Sequence, residues 1–255
     1  DFGKVGVREQ VLVKAKKLYP PDLSLIRQRH AFVRRSTELD FHKQRADYLE
    51  RCGTEGYQAF LERINAEHQA QLKELDRFLQ LITESNEPTV LPEGSFGELQ
   101  HYAERRYQDL EGKTLPLLTD DEIRFLSILK GSLDENERLE IESHVTHTYR
   151  FLMQIPWTTE LKDIPSIAYG HHEKLDGTGY PNKVRGEQIP VQTRMMTISD
   201  IFDALTASDR PYKRAVPVPR ALDIMAQEVK AGMLDRPLFD LFTEGKVFER
   251  AGEGS

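Results

Sequence analysis

The sequence predicts an all-α protein, a helical bundle with one long antiparallel helical hairpin set into it. Three observations support that. Apolar residues recur at helical spacing, as in Ile141, Val145, Tyr149 and Leu152. No two segments show the strict apolar–polar alternation of a strand pair. Two long stretches rich in Arg, Glu, Gln and Lys meet at Cys52-Gly53-Thr54, a turn that joins them as a hairpin.

The elements follow in order. Val7 to Leu18 alternates basic and apolar residues at helical spacing, and Pro20-Pro21 breaks it. Asp22 caps a helix running to about Arg51, and a second long helix follows the turn to about Glu84. On the second, His68, Leu72, Leu75, Leu79 and Ile82 fall at spacings of 4, 3, 4 and 3, a coiled-coil-like seam. The stretch 85–95, with Asn86, Pro88, Pro92 and Gly94, is a loop. Phe96 to Leu110 is a short helix, and Gly112 to Leu118 an extended connector. Thr119-Asp120-Asp121-Glu122 is a capping box. Glu135 to Gln154 is a strong amphipathic helix. A short helix leads into His171, Val191 to Ser208 forms an apolar one, and Pro217 to Ala231 and Pro237 to Phe248 complete the bundle.

Composition excludes several classes of function. The 255 residues carry 38% hydrophobic and 30% charged residues, an ordinary polar globular balance. No run approaches the roughly 18 apolar residues of a membrane span. Cys52 is the single cysteine, so no internal disulfide forms, as expected in a reducing, cytoplasmic setting. A net charge of −7 argues against a nucleic-acid polymer as partner. Locally the balance reverses: His171 to Arg214 holds seven basic residues against six acidic ones. If some of those acids and histidines hold divalent metal, the pocket becomes positive and suits a compact dianion.

Residues 171 to 181 read His-His-Glu-Lys-Leu-Asp-Gly-Thr-Gly-Tyr-Pro. Two imidazoles followed by a carboxylate are transition-metal ligands, and the glycine-rich tail permits close backbone approach. Asp200 interrupts the apolar segment Met195 to Phe202, where a buried carboxylate needs a cation; the alternatives are a metal or Arg194. His144 sits beside the apolar face of its helix. Its alternative is a helical pair with Glu140.

The 171–181 stretch resembles the signature of the HD-GYP family, metal phosphodiesterases of the HD-domain superfamily that hydrolyse cyclic di-GMP. The opening Asp1-Phe2-Gly3-Lys4 is similar to the second half of the family's His-Asp-x-Gly-Lys motif. A kinase reading of Asp1-Phe2-Gly3 fails, since neither a glycine-rich phosphate loop nor a catalytic-loop motif is present. Ser199 to Thr206 and Asp209-Arg210-Pro211-Tyr212-Lys213 resemble the family's terminal Asp segment and Arg-Pro-Tyr tail. The resemblance covers roughly 1–20 and 119–248. It implies an HD-type bundle from 1–20 and 119–255, with 21–118 an inserted hairpin and connector. The His preceding Asp1 in the motif and an upstream helix are not in this sequence, so an N-terminally truncated piece of a larger sensor-linked protein is expected.

The resemblance implies that Asp1, His144, His171, His172 and Asp200, with further ligands, hold two or three iron or manganese ions. Asp203 and Asp176 would orient ligands from behind, while His147 has no matching position. Lys4, Arg210 and Lys213 would hold the phosphate, Lys4 with a catalytic part beside Asp1. Gly179, Tyr180 and Pro181 would shape the wall near guanine or the ribose-phosphate ring. The implied reaction converts cyclic di-GMP to pGpG or GMP. Two other readings stand beside it. One is a receptor that binds the cyclic dinucleotide without cutting it. The other is an interaction module whose hairpin and Gly-Tyr-Pro loop engage an upstream sensory domain, diguanylate cyclase domains or a second copy. His30, His42, His68 and His101 fall in the insertion, and no metal role is expected for them.

Overall fold

A computed structural model describes residues 2–91, 94–207 and 215–250. Asp1, Arg210 and Lys213, three of the expected site residues, lie outside the described residues. The described chain is all-α apart from one small strand pair. No described helix is long and apolar enough to cross a membrane.

A 3₁₀ turn (Phe2–Gly6) leads to α1 (Glu9–Leu12). The helix expected over Val7 to Leu18 is therefore a single turn. Asn86 explains the early stop: its carbonyl accepts from Lys17 N (3.1 Å) and its side-chain oxygen from Leu18 N (2.7 Å), replacing helical bonds. α2 (Pro20–Cys52) starts on its prolines, whose missing N–H is no loss in a first turn. Asp22 lies inside that turn instead of capping it, where its charge suits the helix dipole. Gly53 and Gly56, both at φ +66°, reverse the chain into α3 (Tyr57–Ser85).

α4 (Ser95–Glu104) is shorter than expected, because β1 (Arg106–Gln108) and β2 (Thr114–Pro116) follow it as an antiparallel pair with Tyr107 opposite Leu115. The strand pair is a correction to the helix-only reading. Its turn is held by Asp109, whose carboxylate accepts from Glu111 N and Lys113 N, both at 2.9 Å, with Gly112 at φ +78°. α5 (Asp120–Leu126) opens with the expected capping box, Thr119 accepting from Glu122 N. α6 (Glu135–Leu152), α7 (Ile164–Tyr169), α8 (Val191–Thr206) and α9 (Val218–Lys230) follow. The last expected helix divides at Gly245-Lys246 into α10 (Arg236–Glu244) and α11 (Val247–Arg250).

The chain forms two compact units, one of residues 14–134 and one joining 1–13 to 135–255. The first buries Leu18, Ile26, Phe78, Leu81, Leu99 and Leu118 in one core, with α5 included through Leu126. That packing places residues 119–134 in the same unit as the hairpin. Leu75 and Ile82 of the heptad seam are buried, and Leu72 and Leu79 half-buried. The other unit packs Ile198 of α8, Met225 and Val229 of α9, and Phe239 and Phe242 of α10. At its far end the 3₁₀ turn lies directly on α6: a Cβ on Gly3 would stand 1.9 Å from the His144 carbonyl oxygen. Gly3 N donates to Thr148 Oγ1 at 2.9 Å, securing that approach.

Candidate metal centre

Two elements converge on one cluster of imidazoles. α6 contributes His144, and the turn leaving α7 contributes His171 and His172. One ring nitrogen from each lies within 4.8 Å of the others. His144 and His171 are buried, at 0% and 2% exposure, and His172 is half-buried. The rings are aimed by backbone carbonyls: His144 Nδ1 lies 2.6 Å from Ile141 O, and His171 Nδ1 2.6 Å from Ala168 O. A carbonyl can only accept, so each Nδ1 carries the proton and each Nε2 keeps its lone pair. His172 Nε2 stands 3.2 Å from His144 Nε2. The His144 lone pair there can accept the Nε2 proton of a neutral His172 or, with His172 in its other tautomer, share a cation with it.

Electrostatics keeps the three rings neutral. Burial pushes all three histidines below their ordinary pKa, His172 to about 3. For His172 the neighbouring His171 and His144, then Lys4 and Lys174, add to the effect of burial. Neutral imidazole is the metal-binding form, so the site holds its ligands ready near neutral pH. Lys4 also depresses His144 and His171, which places its ammonium within electrostatic reach of the whole cluster.

Asp200 adjoins the cluster from α8, its Oδ2 3.8 Å from His172 Nδ1. The carboxylate is 30% exposed, so it is less buried than its apolar neighbours suggest. The helical turn faces it to the histidines while Met195 and Met196 face solvent. Arg194 is not its partner; it bonds Asp235 at 3.0 Å and the carbonyls of Ile189 and Gly186. Glu140, the alternative partner of His144, is instead held by Arg8 through bonds of 2.6–3.0 Å. Asp203 is exposed on α8, and His147 is exposed on α6.

The 171–181 loop folds back over His172. Glu173 does not join the imidazoles. Its carboxylate is 3% exposed and accepts from Asn182 N (2.6 Å) and Val184 N (3.2 Å), clamping the loop's return limb. Tyr180 N donates to His172 O at 3.2 Å, and the Tyr180 ring lies 4.7 Å from the His172 ring. Burial, then the charges of Glu142 and Asp200, raise the Tyr180 phenol so that it stays protonated. Gly179 has no room for a side chain, since a Cβ would meet His172 O and Lys174 N at 2.4 Å. Asp176 closes the preceding turn by accepting from Thr178 N (2.9 Å) and Oγ1 (2.7 Å), and so acts on the loop instead of on a ligand.

Sequence reasoning missed Glu173 as a clamp, Glu142 beside Tyr180, and Thr197, whose hydroxyl donates to His171 O at 2.8 Å. Glu142 lies two residues before His144, and Thr197 three before Asp200. That proximity was the only available signal.

Residues 121–238 match the HD domain family model. A Vibrio cholerae protein named 3'3'-cGAMP-specific phosphodiesterase 3 is 43% identical over 99 residues, 39% of this chain and 21% of its own length. The matched Vibrio, Xanthomonas and Pseudomonas relatives agree in kind. This chain carries an HD domain of the HD-GYP family. The cyclic di-GMP phosphodiesterase response regulator RpfG of Xanthomonas campestris is 48% identical over 81 residues, 32% of this chain and 21% of its own length. A cyclic di-GMP phosphodiesterase of Pseudomonas aeruginosa is 35% identical over 97 residues, 38% of this chain and 23% of its own length. The chain thus spans between a fifth and a quarter of the length of these relatives. The cluster residues His144, His171 and His172 and the 171–181 loop all lie within the span that matches the HD domain model.

Proposed function

We propose that the protein is a metal-dependent phosphodiesterase of cyclic dinucleotides, with cyclic di-GMP its substrate and pGpG or GMP its product. The carrying observation is the set of three neutral imidazoles aimed at one point beside Asp200. That donor set fits a divalent transition metal such as iron or manganese. His144, His171 and His172 would hold it with Asp200, and Asp1 would join from outside the described residues. A metal held there supplies Lewis acidity and a water nucleophile near neutral pH.

The chain's own groups do the rest. The Ile141 and Ala168 carbonyls hold two rings in the metal-binding tautomer. Lys4 brings positive charge for a phosphoryl oxygen in the transition state, and Arg210 and Lys213 are proposed to add to it. The protonated Tyr180 phenol is a hydrogen-bond donor next to His172, and its ring offers a face for a base. Hydrolysis adds water across one P–O bond of the ring, giving a 5′-phosphate and a free 3′-hydroxyl. A second cut yields the mononucleotide.

The test is chromatographic separation of products after incubation of the manganese- or iron(II)-loaded protein with cyclic di-GMP and, separately, 3'3'-cGAMP. His172→Ala and Asp200→Ala are each expected to lower turnover by at least about a hundredfold, the upper range for loss of a ligand or its support. Undiminished hydrolysis in both variants would overturn the site. Cleavage of 3'3'-cGAMP alone would overturn the substrate, and tight binding without cleavage would make the protein a receptor.

A further inference from the structure

α2 and α3 supply no residue of the histidine site, yet their seam is unusual for a helical hairpin. Antiparallel helices of this length normally close their contact with apolar residues throughout. Toward the base they do so, with Ile26, Phe78 and Ile82 fully buried. Near the tip Tyr48 stacks on Phe60, ring centroids 4.2 Å apart. Between these packed zones the seam opens into a cleft of about 290 Å³, near the lower end of ligand pockets.

Its floor is apolar, formed by Val33, Ile64 and Leu75. Its walls are mostly polar: beside Phe41, Thr37, Asp40 and Gln44 line it from α2, and Glu67, His68 and Gln71 from α3. On α2 those positions, and on α3 His68 and Gln71, are spaced three or four residues apart, the interval at which the seam's apolar residues should fall. Such a local break in the apolar pattern weakens the hairpin and is expected where a site requires polar groups.

His68 is the second, independent observation. Its ring is fixed by stacking on Phe41, centroids 4.5 Å apart and planes 12° from parallel. Nδ1 is closed to solvent and has no hydrogen-bond partner among the described residues. Buried polar atoms in folded proteins almost always have a partner, so this nitrogen marks a stretch of seam that is not built for stability alone.

Charge narrows the ligand. Glu67 is paired with Arg63 at 2.8 Å, and Arg105 at the rim is paired with Glu74. Asp40 has neither ion pair nor hydrogen bond among the described residues, which leaves the cleft with an uncompensated negative charge. A metal is disfavoured, because among the described residues only the three-histidine cluster brings three ligating groups together.

We propose that this cleft binds a small organic cation with several N–H donors, of the amine or guanidine class. Its charged end sits on Asp40, and its other donors are shared by the side-chain oxygens of Gln44 and Gln71. The hairpin is then a ligand-binding element in its own right.

Isothermal titration calorimetry of the whole chain with agmatine and with putrescine tests this, with glutamate as the anionic control. Saturable binding of at least one amine, and none of glutamate, is expected. Asp40→Asn, at an exposed position, should weaken that binding at least tenfold while circular dichroism and melting stay as in the wild type. Gln71→Phe, which fills the cleft, should abolish it. No binding of either amine at millimolar concentration, or binding that Asp40→Asn leaves unchanged, would overturn the proposal.

Discussion

At Gly179 a single missing carbon governs the geometry of the proposed active site. A methyl group there would press on His172 O and Lys174 N, both backbone atoms with nowhere to move. Gly179→Ala is therefore expected to shift the loop and separate Tyr180 from His172, lowering kcat/KM by roughly a hundredfold, as a misplacement of about 1 Å can. Glu173→Gln tests the same limb: the amide keeps the shape but only one acceptor oxygen, so the charge is lost and either the Asn182 or the Val184 N–H is left facing an NH2 group. Weaker cyclic dinucleotide binding with retained manganese binding, both read by calorimetry, is the expected outcome. Loss of metal together with substrate would instead make Glu173 part of the metal site. The histidines were legible in the sequence because adjacent imidazoles before a glycine-rich turn serve few other ends. Glu173 was not, because a carboxylate after two histidines reads as a third ligand until the loop's return limb brings Asn182 and Val184 N–H groups to it. Asp200 was half legible. Its role beside the histidines followed from its place in the motif, but its exposure depended on which way α8 turns.

Among the elements, the long helices were the most readable, since their apolar spacing persists over many turns and glycines punctuate their ends. The 3₁₀ turn, the stunted α1 and the three-residue strands were not. Each is decided by one hydrogen-bonding side chain, Thr148, Asn86 or Asp109 respectively, whose partners are set by the fold. The heptad seam of α3 shows what such spacing does settle. Leu75 is 5% exposed and Ile82 fully buried, so these residues pack inside the unit of residues 14–134. Leu75→Ala should cost about 2–5 kcal/mol, the usual range for a buried leucine, read as a lower denaturation midpoint. A cost below about 0.5 kcal/mol, typical of surface substitutions, would mean that the seam is not packed as described. The same residue borders the polar cleft, so in the wild type a bound amine should raise the melting temperature by mass action.

Across the whole molecule, Lys4, His144, His171, His172 and Asp200 belong to one unit although residues 14–134 intervene in the chain. The histidine cluster therefore ties global stability to pH. Each of its histidines has a folded-state pKa below the unfolded value of 6.5. Below pH 6.5 the unfolded chain takes up protons that the folded one refuses, and the equilibrium moves toward unfolding. The metal-free protein should hold full stability from these groups above pH 6.5 and lose it progressively as pH falls. For His172 that window reaches down to about 3. The slope is at most about 1.4 kcal/mol per pH unit for each histidine, reached only where the unfolded ring is fully charged and the folded one neutral. Metal adds a second dependence of the same sign. Manganese needs the lone pairs that protons would occupy, so its stabilisation should be large at about pH 7.5 and smaller at about pH 5.5. Thermal melts with and without manganese at the two pH values separate the effects. The His172→Ala variant should lose most of the manganese-induced rise while its metal-free melt becomes less sensitive to acid. A manganese effect that grows as pH falls, or one that survives unchanged in His172→Ala, would show that the ion binds elsewhere and that the three imidazoles do not form the metal centre.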